Sequence, residues 1–135
     1  MRKTVIALSI LASSAAAQAE LSVAPDPSIA VPSGQPVEFY ESLSDRPAMG
    51  LTARFRFLAP ELPVRLQAMS YEDLEADLAY LCETYALPRL GDPEPSMIVI
   101  SLASAPSEFG TPNPDVPEVF EMYRPESGTC AWEAF

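Results

Sequence analysis

The segment that decides the fold class spans residues 70–87 and reads SYEDLEADLAYLCETYAL. Ser70 and Asp73 resemble a capping box at its start, and Pro88 ends it. Apolar residues recur along it every three to four positions, which indicates one amphipathic helix. These residues are Leu74, Leu78, Leu81, Cys82 and Tyr85. The sequence therefore predicts a helix that buries one side, including Cys82.

Strand-like segments flank this helix in the sequence. Residues 51–59 alternate in polarity, so their aromatic residues face one way while Arg54 and Arg56 face the other. Residues 97–103, MIVISLA, form a nearly continuous apolar run, as in a strand covered on both faces. Composition predicts further short strands, which are 29–31, 37–43, 64–69, 119–124 and 129–135.

Residues 125–128, PESG, predict a hairpin turn in which Gly128 has a positive φ. In the strand that follows, Cys130 and Trp132 share a face. If Cys130 is bridged to Cys82, that face lies under the helix and Trp132 lies in the core. The predicted fold is α+β: an antiparallel sheet of about five strands with one amphipathic helix packed on it and one disulfide.

The chain contains two cysteines, Cys82 and Cys130, and no C-x-x-C motif that would indicate an oxidoreductase. Export would place both thiols in an oxidising compartment, where a structural disulfide is favoured. Two buried free thiols and a two-cysteine metal site are the alternatives. A metal site would need further ligands, and the chain has no His to supply them. We therefore expect a disulfide, no metal and no cofactor.

The first 19 residues have the composition of an export signal. Two basic residues precede an apolar stretch, and small residues lead to an A-x-A pattern. Cleavage is expected between Ala19 and Glu20, with a cut after Ala17 as the alternative. The apolar stretch is too short to span a bilayer, so no stable membrane anchor is expected and the predicted location is the bacterial periplasm. The chain then divides into a signal peptide (1–19), a Pro-rich extended leader (20–36) and a single α+β domain (37–135).

Charge and composition exclude several classes of function. After removal of the signal no Lys and no His remain, and the net charge is two units more negative than the −11 of the full chain. Without His there is no Ser-His-Asp triad and no imidazole base. Without Lys there is no Schiff base and no phosphate-loop lysine. The acidity argues against nucleic acid as a partner. Because the residue types that these mechanisms need are missing, a non-catalytic protein is expected.

Arg54 and Arg56 are the candidate ligand-binding residues. They stand two apart on one face of a strand, where a pair of guanidinium groups can bind a carboxylate or phosphate. The alternative is cross-strand pairing with the protein's own acids, since Glu38 and Glu41 lie in the preceding strand.

The C-terminal strand offers a candidate partner surface. Tyr123, Glu133 and Phe135 are expected on the face opposite Cys130 and Trp132. That face is partly apolar, so it is a candidate for contact with an envelope or periplasmic protein.

The densest group of carboxylates lies at the start of the predicted helix, at Glu72, Asp73, Glu75 and Asp77. Acids there are favoured by the helix dipole, so a solvated helix face is expected. Paired carboxylates in a cleft could hydrolyse a glycosidic bond, but nothing in the sequence indicates a cleft. The spacing also lacks the calcium-loop pattern.

Several segments together resemble one family of proteins. They are RFRFLAP at 54–60, LC at 81–82, IVISL at 98–102, EFG at 108–110 and the ending from 120 to 135. In these segments the chain resembles a family of small exported Gram-negative bacterial proteins catalogued as a domain of unknown function. The resemblance covers about residues 31–135, supports the fold prediction and supplies no active site.

The resulting functional prediction is a non-catalytic periplasmic module that binds a protein or associates with the envelope. The alternative is a small-anion binding protein that uses the arginine pair. A carboxylate-dependent hydrolase is a remote alternative.

Overall fold

Six strands form one sheet in the computed structural model, which describes residues 29–134. They are β1 (Ile29–Ala30), β2 (Pro36–Asp45), β3 (Thr52–Leu58), β4 (Met97–Ala103), β5 (Glu118–Glu126) and β6 (Thr129–Trp132). Their order in the sheet follows their order in the chain. The predicted signal peptide, its cleavage site at Ala19 and Glu20, and residues 20–28 of the predicted leader lie outside the described residues.

The α+β prediction is confirmed, with two differences in the sheet. It has six strands rather than about five, and it is mixed, because β3 and β4 run parallel while the other neighbouring pairs are antiparallel. The helices α1 (Leu62–Ala68) and α2 (Tyr71–Leu81) lie between β3 and β4 in the chain. A connection that contains helices can return the chain to the end of the sheet where β3 began, which parallel pairing requires. All seven residues of β4 are buried.

The predicted helix is present as α2. Ser70 is its N-cap, and the Ser70 side chain accepts a hydrogen bond from the Asp73 amide at 3.2 Å. Leu74, Leu78 and Leu81 are buried on one side, as the apolar spacing predicted. The α-helix ends earlier than expected, because residues 82–89 continue as a π-helical turn and a 3₁₀ turn.

The disulfide between Cys82 and Cys130 is confirmed, with a Cα–Cα distance of 6.3 Å. It joins the C-terminal end of α2 to the edge strand β6. The main core lies between α2 and one face of the sheet, where Phe55 and Phe57 of β3 pack with the leucines of α2. The arginine pair of β3 therefore points to the opposite face, as the alternation predicted.

The strand predicted at residues 64–69 is wrong, because this segment forms α1. Pro63 stands in its first turn, where proline is tolerated because no intrahelical amide donor is needed. Val64 is 70% exposed, so its β-branched side chain has no sheet to pack on. Within residues 29–134, no helix has both the length and the apolar character needed to cross a membrane.

The hairpin between β5 and β6 is tighter than the four-residue turn predicted. Glu126 pairs with Thr129, so only Ser127 and Gly128 form the loop. Both have positive φ, at 51° and 79°, as the two-residue hairpin turn requires. This register places Tyr123 directly opposite Trp132 and therefore on the same face.

Asp77 differs from the other acids of α2, because it is completely buried. Its carboxylate accepts hydrogen bonds from the Ser33 amide at 2.9 Å, the Ser33 hydroxyl at 2.6 Å and the Gln35 side-chain amide at 2.8 Å. The expectation that it belongs to a solvated helix face is wrong. The turn before β2 supplies the donors that a buried carboxylate needs. Asp77 thereby attaches this part of the Pro-rich segment to α2.

Candidate functional site

The two candidate ligand-binding arginines lie on the sheet face opposite α2, and both have acidic partners in β2. Arg54 donates its Nε–H to Asp45 at 2.9 Å. Arg56 forms an ion pair with Glu41 and also donates to the carbonyl and hydroxyl oxygens of Ser107, at 2.8 and 3.1 Å. Cross-strand pairing with the protein's own acids is thus what the structure contains.

Phe109, in the loop after β4, covers these two side chains. Its ring centre lies 5.2 Å from the guanidinium carbon of Arg54 and 5.9 Å from that of Arg56, within the range of cation–π contacts. A cavity of about 130 Å³ remains beside them, and Glu118 lines it as well. An incoming anion would have to compete with the carboxylates already bound and would meet the charge of Glu118. Anion binding at Arg54 and Arg56 stays a prediction, and the geometry favours a structural role for the pair.

Tyr123 and Glu133, two of the three candidate partner residues, do not share a surface. Tyr123 is buried under α2 with only 3% of its surface exposed, so its proposed contact with a partner is wrong. Glu133 lies on the other face of the hairpin and pairs with Arg124 at 2.7 Å. Phe135 lies outside the described residues. The register of the two-residue turn is the physical reason that Tyr123 and Glu133 separate.

Trp132 is the exposed aromatic residue of this hairpin. It was expected in the core beside the disulfide, but 55% of its surface is exposed. It belongs to β6, the edge strand, which has no further strand beside it in the sheet. The sequence alternation correctly gave its face but could not show that the helix does not reach over it.

A cleft of about 320 Å³ lies between α2 and this edge of the sheet. We call it the α2–β5 cleft. Its lining residues are Tyr71, Leu74 and Leu78 of α2, Glu118, Val119, Phe120 and Glu121 of β5, and Trp132 of β6. Its floor is apolar, because Leu74 and Leu78 belong to the core, and the aromatic side chains stand at its rim.

Glu121 is the one acid that the sheet turns toward α2 in this cleft. It lies opposite Ile100 of β4, on the core face, and is only 6% exposed. Its carboxylate accepts a hydrogen bond from the Tyr71 hydroxyl at 2.5 Å and one from the Trp132 indole N–H at 2.7 Å. Glu118 lies opposite Ala103 and so belongs to the other face of β5. The two acids of the cleft therefore do not form a facing carboxylate pair.

The negative charge of Glu121 raises the pKa of two neighbouring tyrosines. The hydrogen bond to Glu121, partial desolvation and the charges of Glu121 and Glu75 raise the pKa of Tyr71 to about 12. Burial raises the pKa of Tyr123, and the charge of Glu121 raises it further. The electrostatic potential of the cleft is thus negative and disfavours a second negative charge.

The alternation of residues along β5 indicates that Glu121 faces the core, whereas composition alone does not. Val119, Glu121 and Tyr123 alternate on one face of β5, so a charged residue stands between two apolar ones. Such an acid must find donors in the core face or disrupt it. The identity of those donors, Tyr71 and Trp132, depends on long-range packing. No group of three or more His, Cys, Asp or Glu side chains within residues 29–134 is arranged to hold a metal ion.

Comparison with known proteins gives one match. A family model described as "Family of unknown function (DUF6497)" matches residues 7–135. No curated protein and no solved structure matches the chain. The resemblance to a family of unknown function is confirmed, whereas export from a Gram-negative cell stays a prediction.

Proposed function

For this chain, which belongs to the DUF6497 family of unknown function, we propose the role of a non-catalytic module that binds a protein partner in the periplasm or at the envelope. The observation that carries this proposal is the α2–β5 cleft with its rim of exposed aromatic side chains. We propose this cleft as the partner surface in place of the one predicted from Tyr123, Glu133 and Phe135. The C-terminal hairpin still contributes to it, through β5 and through Trp132 of β6.

The rim has the composition of a binding surface. Tyr71 of α2 is 59% exposed and Trp132 of β6 is 55% exposed, and both line the cleft. Aromatic residues, and Trp and Tyr above all, dominate the energetics of protein interfaces because they bury a large area with few rotatable bonds. Their exposure costs free energy that a partner would recover on binding.

The walls of the cleft are held rigidly relative to each other. The disulfide links Cys82, at the end of α2, to Cys130, two residues before Trp132. The hydrogen bond from Tyr71 to Glu121 joins the same two walls, and Glu121 also accepts one from Trp132 within the sheet. A surface that is already ordered loses little conformational entropy on binding, which favours affinity.

Two further observations support the cellular part of the proposal. A disulfide persists in an oxidising compartment such as the periplasm. The first 19 residues have the pattern of an export signal. The non-catalytic part rests on composition, because a chain without His has no imidazole for acid–base chemistry.

Site-specific photocrosslinking in the native host tests the proposal. A photoreactive phenylalanine analogue replaces Tyr71, which lines the cleft, or Tyr80, which is exposed on α2 but does not line it. We expect a discrete adduct with one partner protein from position 71 and none from position 80. The purified partner should then bind the wild-type protein, and Trp132→Ala should weaken that binding by about tenfold or more.

Two results would contradict the proposal. One is the same pattern of adducts from both positions, which would indicate nonspecific collision. The other is a purified partner that binds Trp132→Ala as tightly as the wild-type protein, which would place the interface elsewhere.

A further inference from the structure

We propose that the α2–β5 cleft recognises a lysine or arginine side chain of the partner protein, with the carboxylate of Glu121 as its counter-ion. This inference rests on the proposed function and specifies the chemistry of the partner.

The first argument is the unbalanced charge of Glu121. The residue is 6% exposed, and its two carboxylate oxygens accept hydrogen bonds from neutral donors, the Tyr71 hydroxyl and the Trp132 indole. Among residues 29–134 it forms no ion pair. A buried carboxylate is expensive unless a cation accompanies it, since two neutral hydrogen bonds replace only part of its hydration. A cation that enters the cleft would supply the missing charge.

The second argument is the shape of the cleft, which suits a long side chain with a charged end. Leu74, Leu78 and Val119 provide an apolar wall along which the methylene stem of a lysine or arginine can lie. Tyr71 and Trp132 place two exposed aromatic rings next to the carboxylate, to which each donates a hydrogen bond from its polar edge. Aromatic rings attract cations through their quadrupole, so rings and carboxylate act together on the same charged group.

The third argument is the electrostatics around the cleft. None of the residues that line it is basic, and Glu118 adds a second acid at its rim. The chain as a whole carries a net charge of −11, so a cationic segment is attracted over a long range. A second copy of the chain would carry the same negative charge and be repelled. The occupant consistent with these charges is a basic segment of a different protein.

Trp132 can report binding in the cleft, because it is the only tryptophan of the chain. Its indole N–H gives a single NMR resonance, and the same N–H bonds Glu121. We would titrate the full mature protein with N-acetyl-lysine-methylamide and with the norleucine analogue, which has a similar apolar stem but no charge. The lysine probe should shift the Trp132 resonance saturably, with a Kd in the millimolar range. The norleucine probe should bind about tenfold more weakly or worse.

Two matched variants distinguish the effect of the Glu121 carboxylate from that of the overall negative charge of the chain. Glu121→Gln keeps the shape and an acceptor oxygen but removes the charge, so it should lose about tenfold or more in affinity for the lysine probe. Glu126→Gln removes an equal charge from the exposed end of β5 and should leave the affinity within about twofold at moderate salt. If Glu121→Gln does not fold, the comparison of the two probes on the wild-type protein still decides the question.

The outcomes distinguish this inference from the function on which it rests. Equal binding of the lysine and norleucine probes would overturn cation recognition and leave an apolar docking cleft. Tighter binding of choline than of a blocked Ala-Ala-Lys-Ala-Ala peptide would overturn the choice of a protein side chain. A partner crosslinked at position 71 whose binding does not weaken in Glu121→Gln would also overturn the inference, whereas failure of the crosslinking itself would remove the proposed function.

Discussion

Asp77 shows what a single buried acid can do in an acidic protein. It accepts three hydrogen bonds from Ser33 and Gln35 and has no exposed surface. The segment that contains these donors precedes β2 and has little hydrophobic area of its own. Its attachment to α2 therefore depends on this carboxylate as well as on the burial of Val31.

Replacement of Asp77 by Ala should lower the free energy of unfolding by about 3 kcal/mol, because the buried Gln35 amide and the half-buried donors of Ser33 would lose their acceptor. Urea unfolding followed by circular dichroism measures the loss. Asp73→Ala on the exposed first turn of the same helix is the matched control and should cost less than about 1 kcal/mol. Equal losses in the two variants would contradict the structural role of Asp77.

Tyr71 gives a prediction in the alkaline range. Its pKa is about 12 in the folded protein, against an ordinary value of 10.0. Above pH 10 the unfolded chain loses this proton first, so the unfolded state binds fewer protons and stability falls as pH rises from about 10 to about 12. Below pH 10 the contribution is fully present.

The urea midpoint should therefore decrease between pH 9.5 and pH 11.5, and it should decrease less in Tyr71→Phe, which has no phenol to ionise. Titration of the tyrosine side-chain carbons by NMR should show raised pKa values for Tyr71 and Tyr123, and of these two only the Tyr71 resonance should disappear in the variant. A Tyr71 resonance that titrates near its ordinary pKa would show that the hydrogen bond to Glu121 is absent in solution.

At the scale of elements, the two helices have different roles. Leu78 of α2 is 2% exposed, whereas Leu66 of α1 is 41% exposed. Of α1 only Leu62, its first residue, is buried in the core, whereas α2 buries Leu74, Leu78 and Leu81 there. The site depends on α2, because α2 forms one wall of the cleft.

Replacement of one leucine by alanine in each helix should reveal this difference. Leu78→Ala should destabilise the protein by about 3 kcal/mol, because it removes buried methyl groups and leaves a cavity. Leu66→Ala should change stability by less than about 0.5 kcal/mol, because its side chain is already largely hydrated. Chemical denaturation of both variants provides the measurement, and a large loss in Leu66→Ala would mean that α1 is buried in solution.

The disulfide connects α2 to the edge strand across 48 residues of sequence. In the chain-entropy description a loop of this length restricts the unfolded state by about 4 kcal/mol. Reductant should therefore lower Tm markedly in the wild-type protein and leave a Cys82→Ala, Cys130→Ala double variant unchanged. Two free thiols found by mass spectrometry in periplasm-purified protein would refute the bridge.

At the scale of the whole molecule, the excess of acid dominates the electrostatics. Four ion pairs join described residues, and each uses an arginine. The net charge of −11 leaves many acids to repel one another. Self-repulsion of this kind lowers the stability of a compact state.

Salt should consequently stabilise this protein. An increase from 0.02 to 0.5 M NaCl shortens the Debye length from about 20 Å to about 4 Å and screens the repulsion. An increase of only about 1 kcal/mol in the free energy of unfolding would raise Tm by about 4 °C in a domain of this size. Differential scanning calorimetry measures the shift, and a decrease in Tm would show that the ion pairs outweigh the repulsion.

Local patterns predicted most of the elements. The spacing of Leu74, Leu78 and Leu81 located α2, and the alternation around Arg54 and Arg56 located β3 with the correct faces. These patterns succeed because each repeats the period of its own element. The strand prediction around Val64 was wrong, because six residues are too few for their periodicity to distinguish a strand from a short helix.

The sequence by itself determined the α+β class, the buried face of α2, the pairing of the two cysteines and the membership of a family of unknown function. Periodicity, composition and the presence of only two thiols are properties of the chain alone. The tertiary structure decided that Trp132 is exposed, that Asp77 is buried and that Glu121 lies between Tyr71 and Trp132. Each of these depends on which element, distant in the sequence, packs against the residue. A local pattern contains no information about that packing.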